Sequence, residues 1–244
     1  MSQPGSLAYF KLIGAMFMWG GTWIAGRIVA QEVPAPMLAA AFRFLIAGMA
    51  LGGFALLTEG ALPRPADGRE WAVVSGLAIT GIFLYAVCFF YGLRYIPAGR
   101  GALVVALNPV VVALVAWLIG RSATKTLSPL AATLYASLIG ALLLAVMAIV
   151  QGDITVADWS WRVWASVFFL AICGTALGFT WFADGVRLMG AARASAFINL
   201  VPVFAVLQAA VLLGERLAYA VLAGGALVVA GVWLTTRTPS ENPA

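Results

Sequence analysis

The chain has 244 residues, 64% of them hydrophobic and 9% charged, with a mean hydropathy of +1.03. Soluble domains carry about a quarter charged residues, so this composition excludes a soluble globular protein and leaves a polytopic membrane protein. The net charge of +5 is scattered over short loops and helix ends, where it reads as topology information and not as a nucleic-acid footprint.

In chain order, the first apolar run is Tyr9 to Ala30, too long for a signal-peptide core and so expected to stay as a membrane helix. The second is Met37 to Leu57. The stretch Thr58 to Glu70, with Pro63, Pro65, Gly68 and five charges, reads as a loop. The third span is Trp71 to Leu93 and the fourth Arg100 to Gly120, followed by a polar link, Arg121 to Ser128. A fifth span runs from Pro129 to Val150. The loop Gln151 to Arg162 carries Asp153, Asp158 and two interfacial tryptophans. The sixth span is Val163 to Arg187, the seventh Arg193 to Leu213 and the eighth Leu217 to Thr236. Residues 237–244 form a polar tail.

Eight spans place both termini on one side. With those ends inside, Lys11, Arg64, Arg69, Arg121, Lys125, Arg187, Arg193 and Arg237 are internal, against Arg27, Arg94, Arg100, Arg162 and Arg216 outside. That excess predicts cytoplasmic termini in a bacterial inner (plasma) membrane.

An internal repeat runs through the chain at a spacing of 93 residues. Pro36 falls on Pro129, Arg69 on Arg162, Trp71 on Trp164, Gly81 on Gly174, Gly92 on Gly185, Arg94 on Arg187, Arg100 on Arg193 and Pro109 on Pro202. From Leu77 to Arg121 there are 15 identities in 45 positions with the stretch 93 residues later. The repeat places 36–121 over 129–214 and divides the chain into halves at 9–121 and 129–236. Because the offset covers three spans, an odd number, the second copy enters the bilayer upside down. The fold expected is an all-α integral membrane protein, an inverted-repeat bundle of eight transmembrane helices. Such bundles build secondary transporters, with a site near the midplane and helices broken in matched places. Pro109 and Pro202 are the expected helix breaks, since a proline deprives a carbonyl one turn back of its partner and the freed group must be satisfied by protein or a wet cavity.

Several segments resemble the drug/metabolite transporter superfamily, EamA family: MWGGTW (18–23), AAFRFLIAG (40–48), YGLRYIPAGRGALVVALNPVVVALVAWL (91–118) and GVRLMGAARASAFINLVPVFAVLQAAVLLGERL (185–217). The chain is similar to bacterial exporters of amino acids and related metabolites. That resemblance implies ten spans in two inverted five-helix repeats, a central cavity and alternating access. It also leaves the family's fifth and sixth spans without counterparts here, since the link Arg121 to Ser128 stands in their place. The missing sixth span is the expected mate of the first, so assembly with a second chain, a dimer, stays open.

Candidate substrate contacts lie near half depth. Trp19, Thr22 and Trp23 fall on the first span beside Gly20 and Gly21, where close helix packing is the competing reading. Phe83 and Tyr85 on the third span and Phe179 and Trp181 on the sixth supply aromatic walls or plain packing. Asn108, Asn199 and Gln208 are amides in apolar surroundings and need partners, either a ligand or a neighbouring helix. Arg43 sits about 9 Å inside the second span at 1.5 Å per residue; it either snorkels outward, with Glu32 as partner, or holds a substrate carboxylate. Asp184 is explained by an ion pair with Arg187. No carboxylate lies at mid-depth. A titrating coupling group is therefore absent from the spans, and facilitated efflux is expected.

Histidine is absent, and Cys88 and Cys173 stand singly in apolar runs, so no metal, cofactor or catalytic residue is expected. The partners expected are a small-molecule substrate and the lipid bilayer. An amino acid, aromatic ones included, suits aromatic walls and an arginine anchor. An integral-membrane enzyme lacks the polar cluster such chemistry needs, and a truncated, inactive scaffold is the other alternative.

Overall fold

The computed structural model describes residues 6–60, 64–103, 128–152, 154–215 and 219–237. The fourth predicted span from 104 onward, with Asn108 and Pro109, the link 121–127 and the tail 238–244 lie outside them. The described residues form nine helices: α1 (Ser6–Glu32), α2 (Met37–Glu59), α3 (Gly68–Tyr95), α4 (Ala98–Leu103), α5 (Pro129–Gln151), α6 (Trp161–Met189), α7 (Ala191–Phe197), α8 (Leu200–Leu213) and α9 (Tyr219–Arg237). Six stretches of these are long and apolar enough to cross a membrane, and α9 carries a shorter apolar helix, Ala223–Trp233.

Local chemistry sets the helix ends. Asp67 accepts the Glu70 amide at 2.8 Å, Ser128 the Ala131 amide at 3.2 Å, and Ser160 the Val163 amide at 3.3 Å, each side chain satisfying a donor that the first turn leaves bare. Pro129 follows Ser128 at the first helical position, where its missing N–H costs nothing. Gly60 and Gly152 close α2 and α5 with φ of 71° and 74°, a left-handed geometry that glycine adopts without strain.

The repeat is visible in these details. The caps Asp67 and Ser160 are 93 residues apart. Both α3 and α6 pass through a π-helical stretch, Ala78–Leu84 in one and Leu170–Leu177 in the other, and the 93-residue shift lays the first almost wholly on the second. The copies are inverted. Helices α2 and α5 occupy equivalent places and pack on one another, with Gly48 against Leu138 and Gly52 against Leu134. Residue numbers rise on one helix as they fall on the other, so the two run antiparallel. The π stretch of α3 packs on α5, and that of α6 packs on α2, as an inverted pair requires.

Polar contacts fix which ends share a face. Glu32 accepts from Ser160 at 2.5 Å and pairs with Arg162 at 3.5 Å, bringing the end of α1 to the start of α6. Arg94, near the end of α3, donates to Ala30 O at 3.1 Å, to Val33 O at 2.8 Å and to Pro34 O. On the other face Lys11, near the start of α1, meets Asp184 at 2.5 Å near the end of α6. The buried Val232 of α9 joins Ala8 and Leu12 of α1 in one apolar cluster, so the first and last described helices begin and finish on this same terminal face.

Helix α1 runs through the centre, the most buried of the spans. An added Cβ at Gly20 would fall 2.8 Å from Phe204 of α8, at Gly21 2.7 Å from Phe169 of α6 and at Gly26 2.4 Å from Phe89 of α3. Small residues let these backbones approach closely where lipid gives no hydrophobic drive to association. The two copies of the third span are not equally covered. Leu170 of α6 is fully buried beneath its neighbours, whereas its equivalent on α3, Leu77, is 46% exposed.

Candidate functional site

A cavity of about 1020 Å³ lies between α1, α2, α3, α5, α6 and the start of α8. At its terminal-face mouth stand Asp184 and Arg187 from the end of α6 and Ser128 from the start of α5; Phe54 adds an apolar lip. Its deep end lies toward the opposite face, where Arg43, Phe44, Trp23 and Tyr85 converge. Trp19, Thr22, Gly174 and Phe179 line the middle.

The aromatic residues form two groups. Trp19 packs against Phe179 and Phe182, both at 5.3 Å between ring centroids. Deeper in, Phe89 stacks with Tyr85 at 5.4 Å and meets Trp23 edge-on at 5.2 Å. The π turn of α6 shapes the first group. Widening from i→i+4 to i→i+5 bonding leaves carbonyls seeking other donors, and such bulges gather at functional sites. Here the Trp19 indole N–H donates to Gly174 O at 2.9 Å and the Thr175 hydroxyl to Leu170 O at 3.0 Å. Trp19 is thus held by its polar end while its ring faces the cavity. The Thr22 hydroxyl donates to Trp19 O at 2.6 Å.

Arg43 is 5% exposed. Its guanidinium lies over Phe44 at 4.6 Å and Phe89 at 5.9 Å, and its Nε and Nη1 have no hydrogen-bond partner among the described residues. It does not snorkel to Glu32, because Glu32 is engaged by Ser160 and Arg162. Asp184 pairs with Arg187 at 3.5 Å, as its spacing predicts, and more closely with Lys11 across the helix interface.

Of the residues singled out in the sequence, Trp19, Thr22, Trp23, Arg43, Tyr85 and Phe179 come together on the cavity wall. Three others lie away from it. Phe83 packs against the apolar core, Trp181 against Phe10 at 5.8 Å and beneath Gly14, and Asn199 at the start of α8, with no capping bond from its side chain. Gln208 donates to Phe17 O at 3.0 Å, a bond between helices. Pro202 is buried in the first turn of α8, just after Ile198 and Asn199 interrupt the helix begun by α7. Phe44 and Phe182 join the lining without having been singled out; the first adjoins Arg43, and the second follows Phe179 by one helical turn.

The opposite face is sealed by contacts that the motifs only hinted at. Glu215, of the GER motif, accepts from the Ala98 and Gly99 amides at 3.0 and 3.3 Å and lies 3.7 Å from Arg27. Arg27 also donates to Leu93 O at 3.2 Å and to Ile96 O. Together with Arg94 and Glu32, these bonds tie α1, α3, α4, α6 and α8 into a polar lid. The Asp184 end of the cavity lies on the terminal face, and these contacts lie on the other.

The sequence matches the EamA-like transporter family over residues 6–126 and again over 115–237. The chain belongs to that family. As an EamA-like transporter of the drug/metabolite transporter superfamily it is similar to two Bacillus subtilis (strain 168) proteins named as uncharacterized transporters: YyaM, 25% identical over 296 residues with 96% of each chain covered, and YetK, 22% identical over 300 residues with 97% of this chain and 90% of the relative covered. An uncharacterized transporter of Archaeoglobus fulgidus is 21% identical over 285 residues, covering 95% and 98%. No solved structure matches. An alignment of 296 positions against 244 residues leaves at least 52 positions of the first relative without a counterpart, about what two spans with their turns would occupy.

Proposed function

We propose that this EamA-like membrane transporter is a secondary carrier that moves amino acids, aromatic ones included, or related small metabolites out of the cell by alternating access. In this reading its multi-pass chain lies in the inner membrane with both termini in the cytoplasm, and the halves 9–121 and 129–236 rock about the cavity between them. The observation that carries it is the cavity of about 1020 Å³, aromatic-walled, with Arg43 at its deep end. Its volume sits at the upper end of ordinary ligand sites, and apolar walls with a few fixed polar groups are how such sites orient a solute. The excess of basic residues on the terminal face supports the orientation. An inward-facing resting form would then load from the cytoplasm. With no titrating group at mid-depth, transport runs down the substrate gradient.

Counterflow of labelled L-phenylalanine in proteoliposomes tests the reading. Uptake above protein-free vesicles, lowered by Trp19→Ala and unchanged by an imposed proton gradient, is the expected result. A second reading, a non-transporting relative that needs a partner chain, is favoured by the 52 or more unmatched positions. Absence of flux across a panel of amino acids and metabolites would select it.

A further inference from the structure

Among the described residues, nothing balances the cation at the deep end of the cavity. Arg43 is buried, two of its nitrogens are unpartnered, and the groups around it are the rings of Phe44 and Phe89 and the neighbouring wall residues Trp23 and Tyr85. Ring faces offset part of the cost of burying a guanidinium, but they do not supply the acceptors its N–H groups lack. Among the described lining residues the one carboxylate is Asp184. It stands at the other end of the cavity and is taken by Lys11 and Arg187. The second repeat provides no matching charge, since the position 93 residues after Arg43 is the buried Ala136. A buried charge persists where a partner arrives to meet it, and a guanidinium matches a planar carboxylate, which accepts two parallel N–H bonds.

We infer that Arg43 makes this cavity selective for organic monoanions, a carboxylate on an apolar, ring-sized body. The negative charge sits on Arg43 and the ring lies along the Trp19 and Phe179 wall. An ammonium beside the carboxylate weakens binding, because the lining near Arg43 offers it no anion and the guanidinium repels it. This rests on the carrier reading above and departs from it in substrate: of the metabolites named there it favours acids without a neighbouring amine over amino acids.

The test is calorimetric titration of the detergent-solubilised full chain with three probes of nearly one shape, 3-phenylpropanoate, 3-phenylpropanamide and L-phenylalanine. The acid should bind about tenfold or more tighter than the neutral amide, the usual margin for a charge-assisted contact over a neutral one, and tighter than the amino acid. Arg43→Gln should bring acid and amide within about twofold, and Arg43→Lys should keep part of the preference. Equal binding of acid and amide by the unaltered chain overturns the inference, as does failure to bind the acid or a preference that survives Arg43→Gln. Counterflow separates this from the transporter reading. A chain that carries L-phenylalanine but shows no preference for the acid refutes the inference alone. One that binds the acid selectively but moves no solute refutes the carrier reading alone.

Discussion

Arg43 and Trp19 bear on the stability of this cavity in opposite ways. Removing a buried, unpaired cation should stabilise the empty protein, because uncompensated charge in a low-dielectric interior is costly. Arg43→Met is therefore expected to raise the melting temperature in detergent and, in the proposed carrier, to abolish flux of carboxylates, the usual trade between a strained site and a stable fold. Trp19 works the other way. Its indole N–H satisfies Gly174 O at 2.9 Å, so Trp19→Phe leaves a carbonyl of the π turn bare and should cost about 1–3 kcal/mol, read as a lower thermal midpoint with the helix content of the folded state unchanged.

At the level of elements, the 93-residue repeat creates pairs of positions with one identity and two environments. A Cβ at Gly185 would lie 2.3 Å from Leu12, whereas at its equivalent Gly92 nothing stands within 4 Å. Gly185→Ala should destabilise by about 1–3 kcal/mol through overpacking, and Gly92→Ala should be neutral or gain up to about 1 kcal/mol from helix propensity. Thermal unfolding of the two variants side by side checks this. The pairing itself was legible in the sequence, because proline, glycine and arginine recur at a fixed spacing and the odd number of intervening spans forces inversion. The π turns were not legible. Nothing in AITGIFL or LAICGTAL breaks a helix, and the widened turn depends on donors such as Trp19 brought from another span. The candidate site divides on the same line. Depth along each span could be counted, so six of the chosen residues reach one cavity. Which side of a helix faces it could not, since Phe83 and Trp181 sit at suitable depths on other faces. Glu215 lies within the family-like segment 185–217, but its bonds to Ala98 and Gly99 join segments more than a hundred residues apart.

For the whole molecule, Arg27, Glu32, Arg94 and Glu215 join the described helix ends on one face, while the Asp184 end of the cavity lies on the other. In the proposed carrier, alternating access requires these contacts to come apart, and their charged members set how readily they do so. Glu215→Gln removes the negative charge opposite Arg27 and weakens the grip on the two amides of α4. The occupancy of the form open to that face should rise. In a background lacking Cys88 and Cys173, a Trp23→Cys probe at the cavity's deep end should then react several-fold faster with an impermeant thiol reagent added from that face. An unchanged rate would mean that the lid is not the barrier.

The uneven dressing of α3 and α6 reaches beyond packing. On α6 the π turn packs against α1 and buries Leu170, Ala171, Gly174 and Thr175; on α3 Leu77 and Ile79 are bare, turned away from the cavity. Two copies of one duplicated helix are thus covered unequally, 44% of the apolar stretch being buried on α6 and 28% on α3. Bilayer thickness acts on the second directly, and amide exchange along α3, but not along α6, should quicken when the membrane is thinned.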